Sequence, residues 1–316
     1  MAFDPIADTT YAFNKLRERE KARTEAAQRA KGGLPVMTPD AIRQAALEDN
    51  GYETPELNDR LYLHFKGYRR IENLEPYTAV KALWLGSNGL QKIENIGHMT
   101  QLRCLFLQQN LIQSVSGLDS LDNLVQLDLS NNRIATLSGL AQLPALHTLN
   151  VSKNALQDSQ GIDHLQRCRA LTNLDVTANT LAGAGILSVL QAIPCLVALS
   201  ANGNPFIADT PHFRKTLITT MPALRYLDRP IFEGERVAAT AWARGGAEAE
   251  TAARADFQAA QRQRDRDQLS EFRTWQADQR RKKQEEIAAR RAAGLPDVVE
   301  PSPEDVEVAQ GEVSVE

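Results

Sequence analysis

Cysteine is scarce. Only Cys104, Cys168 and Cys195 occur in 316 residues, with no C-x-x-C pair and no cysteine cluster beside histidine. That excludes a disulfide framework and a structural zinc site, and it points to a reducing compartment. An excess of positive charge is missing too. Lys and Arg number 36 against 40 Asp and Glu, for a formal charge of -4, so no general field draws the chain to nucleic acid or an anionic membrane. No apolar run approaches the roughly 18 residues of a membrane helix, and the acidic start from Met1 to Pro5 does not read as an export signal. The expectation is a soluble, cytoplasmic protein. P-loop, G-x-S-x-G, H-E-x-x-H and G-x-G-x-x-G strings are all absent. His64, His98, His147, His164 and His212 are scattered instead of paired at ligand spacing, so the reading is a non-enzyme with no cofactor and no metal.

What the chain does contain is a period. "VKALWLGSNGLQKIENI" from 80, "LRCLFLQQNLIQSVSGL" from 102, "LVQLDLSNNRIATLSGL" from 124 and "LHTLNVSKNALQDSQGI" from 146 superimpose Asn88, Asn110, Asn132 and Asn154 at steps of 22. Two longer units, starting at Leu171 and Leu196, carry Asn179 and Asn204 after steps of 25. One unit earlier, "LYLHFKGYRRIENL" keeps the leucines but has Lys66 in place of asparagine, as a terminal repeat would. This is the leucine-rich-repeat pattern L-x-x-L-x-L-x-x-N-x-L. One such unit buries too little to offset the ordering of its own backbone, so neighbours must stack on a shared core. The expected fold is an α/β leucine-rich-repeat solenoid: a curved parallel sheet on the concave side, helical or irregular segments on the convex side, a helical N-terminal cap and a long C-terminal helix. The asparagines are expected to satisfy backbone groups of the adjoining turn.

In x-L-x-L-x the leucines point inward, and strand alternation sends the x residues outward along the concave face. The central column reads Tyr62, Trp84, Phe106, Asp128, Asn150, Asp175 and Ser200. Three aromatics followed by carboxylates and an amide form a candidate partner-binding strip, because aromatics dominate interface hot spots. The plainer reading is that the rings only pack on one another or lie beneath the N-terminal segment as a cap. His64 and His147 are expected on or near the same face.

The flanks suggest a division of the chain. Residues 1–37 read as a flexible charged arm and 38–60 as an N-terminal helical cap, with Thr38 as N-cap, Pro39 at the first helical position and Ile42, Ala45, Ala46 and Leu47 turned to the core. About seven repeats of 22–25 residues fill 61–212, and a closing cap follows over 213–246. A charged helix spans 247–293 after the break at Gly245-Gly246, and 294–316 reads as a disordered acidic tail. Phe257, Leu269, Phe272 and Trp275 do not sustain a heptad. Leu269, Phe272 and Trp275 at i, i+3 and i+6 offer a candidate docking edge, against the alternative of a solvated helix. "RRKK" at 280–283 is a candidate contact for phosphates or acidic tubulin, or equally a solvated run.

Two flanks narrow the class. "YETPELNDRLYLHFKGYRRIENLEPYTAVKALWL" (52–85) and "RPIFEGERVAATAWARGG" (229–246) closely resemble the segments bracketing the repeats in the dynein axonemal assembly factor 1 family of ciliary leucine-rich-repeat proteins. The resemblance covers roughly 38–250. It implies a scaffold for cytoplasmic preassembly of axonemal dynein arms, needed for cilium or flagellum assembly and motility. It also implies dynein chains, chaperones and other assembly factors as partners, and an axonemal location as a further option. It carries over Phe232, Glu235, Arg236, Trp242 and Arg244 as family residues of the cap. Two departures stand out: "YLDRPIF" has one acidic residue where two are expected, and many relatives continue into longer tails. Phosphatase-regulating repeat subunits share the 22-residue unit and a similar closing cap, and nuclear spliceosomal adaptors share the unit. Both lack the flanking strings.

Overall fold

The computed structural model describes residues 35–293. They divide into two compact units, one ending at Glu250 and the other beginning at Thr251. The expected arm lies outside the described residues except for 35–37, and the expected tail over 294–316 lies wholly outside them.

In the first unit each repeat contributes one short strand. Strands β1 (Arg60–Tyr62), β2 (Ala82–Trp84), β3 (Cys104–Phe106), β4 (Gln126–Asp128), β5 (Thr148–Asn150), β6 (Asn173–Asp175), β7 (Ala198–Ser200) and β8 (Tyr226–Leu227) pair in chain order. All of these pairings are parallel, and β9 (Arg229–Pro230) returns antiparallel to β8. The chain therefore has the leucine-rich-repeat fold expected from its period.

The register follows from the leucines. Leu61, Leu83, Leu105, Leu127, Leu149, Leu174, Leu199 and Leu227 stand opposite one another, none more than 2% exposed. Leu63, Leu85, Leu107, Leu129, Val151 and Val176 form a second fully buried rank. A slip of one residue would turn both ranks to water, so the leucine register holds the pairing register. On the convex side the 22-residue steps cross in turns and one short 3-10 segment, Leu140–Gln142. The 25-residue steps add close to one helical turn, and there α2 (Ser159–Ile162) and α3 (Gly185–Gln191) form. Helices α4 (Pro205–Asp209) and α5 (Phe213–Thr220) follow.

The repeat asparagines bind neighbouring coils together. Asn132 Nδ2 donates to Leu129 O three residues back at 2.9 Å and to Leu107 O of the previous repeat at 3.0 Å, while its Oδ1 accepts from Ile112 N–H at 3.0 Å. Asn110 and Asn154 repeat this pattern, and Asn88, Asn179 and Asn204 follow it with small variations. Each side chain thus spans two repeats, a reach beyond the single turn expected from sequence.

Helix α1 (Pro39–Glu48) closes the N-terminal end, with Thr38 Oγ1 accepting from Ala41 N–H at 3.2 Å. Ile42, Ala45 and Ala46 are buried as expected, but Leu47 is 49% exposed. Five residues beyond Ile42 it is rotated by about 140° around the helix, off the buried stripe. Lys66 lies 3.5 Å from Glu48, linking the asparagine-less repeat to this cap.

The opposite end needs a different solution, because β7 has no full-length successor. Asp228 supplies it: its carboxylate accepts from Ala201 N–H at 2.7 Å and Asn202 N–H at 3.0 Å. In an inner repeat such donors meet the next strand's carbonyls, as Leu85 N–H meets Phe106 O at 2.8 Å. One aspartate therefore takes up two backbone donors that the shortened β8 leaves without a strand carbonyl.

Helix α6 (Glu233–Ala292) leaves helical geometry at Gly245 (φ -143°, ψ 19°) and Gly246 (φ 69°, ψ -154°). Within the second unit, Leu269, Phe272 and Trp275 are 49%, 52% and 57% exposed, with the two rings 5.8 Å apart.

Candidate functional site

Parallel in-register strands bring equivalent side chains of successive repeats side by side at about 4.8 Å. Tyr62, Trp84 and Phe106 use that spacing. Tyr62 stacks on Trp84 with centroids 4.3 Å apart and planes at 18°, and Trp84 stacks on Phe106 at 5.1 Å and 15°. All three are half-buried on the open face of the sheet. The rings do pack on one another, and they still present their outer edges to solvent.

Beyond Phe106 the column turns polar. Asp128 Oδ1 accepts from Ser130 N–H at 2.9 Å, Asn150 Oδ1 from Ser152 N–H at 3.0 Å, and Asp175 Oδ1 from Thr177 N–H at 2.8 Å. The same turn of side chain onto backbone orients all three groups alike. Asn150 Nδ2 reaches Asp128 Oδ2 at 3.3 Å. Burial pushes the Asp128 carboxyl above its usual range, against the lowering effect of the Ser130 and Asn150 hydrogen bonds, and the like charge of Asp175 raises it further. Among the described residues no Lys, Arg or His forms an ion pair with Asp128 or Asp175. A shallow depression of about 260 Å³ lies along this half, lined among others by Gln126, Asp128, Thr148, Asn150 and Asp175.

The two histidines expected near this face part company. His147 is exposed, with Nδ1 2.6 Å from Ala145 O. His64 is only 3% exposed, because its ring is held edge-on between Tyr62 at 6.2 Å and Phe65 at 5.2 Å. Two of the three thiols are poor nucleophiles: burial pushes Cys168 up to about 11 and raises Cys104 as well, so both stay protonated near neutral pH. Among the described residues no group of three His, Cys, Asp or Glu could hold a metal ion, and no helix is long and apolar enough to cross a membrane.

The cap residues carried over by family resemblance separate into two sets. Glu235 and Arg236 face inward. Glu235 takes Arg214 Nη2 and Arg229 Nη2, each at 2.8 Å, and Arg236 donates to the carbonyls of Ile218 and Leu224. The Trp242 ring lies 4.8 Å from His212 and 5.3 Å from Lys215 Nζ. Phe232, 67% exposed, and Arg244 face outward. Arg214 and Lys215 escaped the reading of the sequence, since nothing in "FRKTL" distinguishes an anchoring cation from a solvated one.

Sheet register, asparagine bridges and closing caps define a leucine-rich-repeat protein, and a leucine-rich-repeat family model matches residues 116–256. Within that class the chain resembles dynein axonemal assembly factor 1, as the flanking strings indicated. It is 59% identical to the Mus musculus and Homo sapiens proteins of that name over 236 residues, 74% of this chain. It is 52% identical to the leucine-rich repeat-containing protein ODA7 of Chlamydomonas reinhardtii over 231 residues, 73% of this chain. The match spans 37%, 33% and 54% of those three relatives' own lengths. Among solved structures, an internalin of Listeria monocytogenes aligns with a TM-score of 0.46 and 23% identity, covering 59% of this chain and 52% of its own.

Proposed function

We propose that this chain is a non-enzymatic scaffold for the cytoplasmic preassembly of axonemal dynein arms, holding its partner on the concave face of the repeats. The observation that carries this reading is the 59% identity over 236 residues to proteins named dynein axonemal assembly factor 1. The geometry adds a reason for the concave face. Its side chains are preset by parallel strands and by each other, so a partner docking there meets little ordering cost. Dynein chains, chaperones and other assembly factors are the partners in this reading, and turnover of a substrate has no part in it.

The test is replacement of the protein, in cells building cilia, by a Trp84→Ala/Phe106→Ala double variant. The expected result is loss of dynein-chain recovery with the protein and shortage of dynein arms, while the purified variant keeps its circular dichroism and cooperative melt. Normal arms and motility after removal of the whole protein would overturn the assembly role. Unchanged recovery with the folded double variant would overturn the concave face as the docking surface.

A further inference from the structure

The two halves of the concave column offer different chemistry, and together they describe what fits there. In the aromatic half the stacking decides. Trp84 is covered on one face by Tyr62 and on the other by Phe106, so no cation can sit over its ring. What Trp84 leaves accessible is its edge, which carries the positive rim of the aromatic quadrupole. The centre of the stack therefore suits apolar side chains and is a poor seat for an ammonium or guanidinium.

The polar half is the reverse. Asp128 and Asp175 flank Asn150 on adjacent strands. Each carboxylate has one oxygen engaged by a backbone N–H. The second oxygen of Asp128 takes a 3.3 Å contact from Asn150, and the Ser130 side chain also acts on this carboxylate, while among the described residues nothing bonds the second oxygen of Asp175. The columns on either side are neutral, with Gln126, Thr148 and Asn173 before and Ser130, Ser152 and Thr177 after. Two half-buried carboxylates of like charge, with no cation paired to them among the described residues, repel each other at a distance of about two strand spacings. A cation arriving from outside relieves that repulsion.

We propose that the concave face takes a polypeptide segment carrying a large apolar side chain and, about 10–19 Å further along, an arginine. These spans correspond to two and four strand spacings, from β2 to β4 and β6. The apolar group lies on the ring edges of Tyr62, Trp84 and Phe106, and the guanidinium sits over Asn150 between Asp128 and Asp175. Arginine fits better than lysine because its planar fork can donate to both carboxylates while lying flat on the amide. This inference rests on the concave-face reading above and adds the chemistry of the occupant.

The test uses a displayed random-peptide library selected on the full-length chain, with recovered peptides remeasured on three proteins: wild type, Trp84→Ala/Phe106→Ala, and Asp128→Asn/Asp175→Asn. Asparagine preserves the acceptor for Ser130 and Thr177, and melting curves verify that the fold survives. The expected peptides pair an apolar residue with arginine. They bind the aspartate variant about tenfold or more weakly and lose affinity as salt rises. Peptides that need Trp84 and Phe106 but lack basic residues and bind the aspartate variant equally well would overturn the inference while leaving the concave-face reading standing. Peptides indifferent to both double variants would overturn the two together.

Discussion

Lys215 and Glu250 form an ion pair that reaches across the break in α6. The same ammonium lies 5.3 Å from the centroid of the Trp242 ring. Trp242 precedes Gly245-Gly246 and Glu250, 9% exposed, follows it. One cation on α5 therefore touches residues on both sides of the glycine break, Trp242 before it and Glu250 after it, within the first unit. Lys215→Met should cost about 1–3 kcal/mol, the usual loss when a charge-assisted hydrogen bond to a largely buried partner is removed. A urea melt of the full chain checks this, and a midpoint unchanged from wild type would show that the pair contributes nothing.

Gly246 lies in that break. At φ 69° and ψ -154° it occupies backbone space essentially closed to residues with a Cβ. Gly246→Ala should lose about 1–3 kcal/mol. It should combine non-additively with Lys215→Met, because both changes act at one break. A double-variant cost equal to the sum of the singles would separate the two.

Asn132 tests the bridging of the coils. Its amide meets carbonyls in two repeats and accepts an N–H from the earlier one. Asn132→Ala strands those groups and should cost about 1–3 kcal/mol. Asn132→Asp should be at least as harmful at neutral pH, since a carboxylate would then face the carbonyls of Leu107 and Leu129. A melting shift near zero for either variant would contradict the bridge.

The spine and the row were legible because both rest on short local periods: two residues along a strand, and 22 or 25 between strands. Those periods place Tyr62, Trp84 and Phe106 together without any knowledge of the caps. What escaped depends on contacts that no period carries. The Arg214 to Glu235 pair joins residues 21 apart on different elements, and Asp228 acts where the repeat ends instead of where it recurs. His64 occupies a column that is polar or small in later repeats, yet two neighbouring rings bury it. Leu47 reads as one more apolar residue of the cap helix, while helical geometry turns it outward. The Asp128–Asn150–Asp175 order could be read from the alignment of repeats, but not the backbone hydrogen bonds that aim the three side chains.

Ala178 marks a place where the repeat carries strain. The residue before each asparagine is left-handed: Ser87, Gln109, Asn131, Lys153, Ala178 and Gly203 all have positive φ, and for Ala178 it is 53°. Left-handed geometry costs a residue with a Cβ about 1–2 kcal/mol, whereas glycine's extra freedom in the unfolded chain costs roughly 0.5–1 kcal/mol. The Ala178 side chain is exposed, so little packing is lost. Ala178→Gly should therefore raise stability by about 0.5–1 kcal/mol. Gly203→Ala should lower it, since the new Cβ would also lie 3.3 Å from Ala178 Cα. A destabilising Ala178→Gly would mean that chain entropy outweighs the strain.

Glu235 ties the stability of the closing cap to pH. Hydrogen bonding from Arg214 is the largest influence on its carboxyl and holds it below the ordinary range; partial burial opposes this, and the charges of Arg214 and Arg229 reinforce it. A carboxyl with a depressed folded pKa releases its proton more readily in the fold than in the unfolded chain. Its contribution is therefore fully present above the unfolded value of about 4.3 and is lost as pH falls through the lower folded value. At pH 7, Glu235→Gln should cost about 1–3 kcal/mol, because it leaves Arg214, only 22% exposed, without its carboxylate. The gap between the two proteins should begin to shrink below about pH 4.3, where the unfolded chain takes up the proton, and close once pH passes below the lower folded value, where the folded wild type protonates too. Paired urea titrations at pH 7, 5 and 3 would measure it. A gap that stayed constant across that window would mean that the carboxylate's charge has no part in the clamp and that glutamine fails through shape alone.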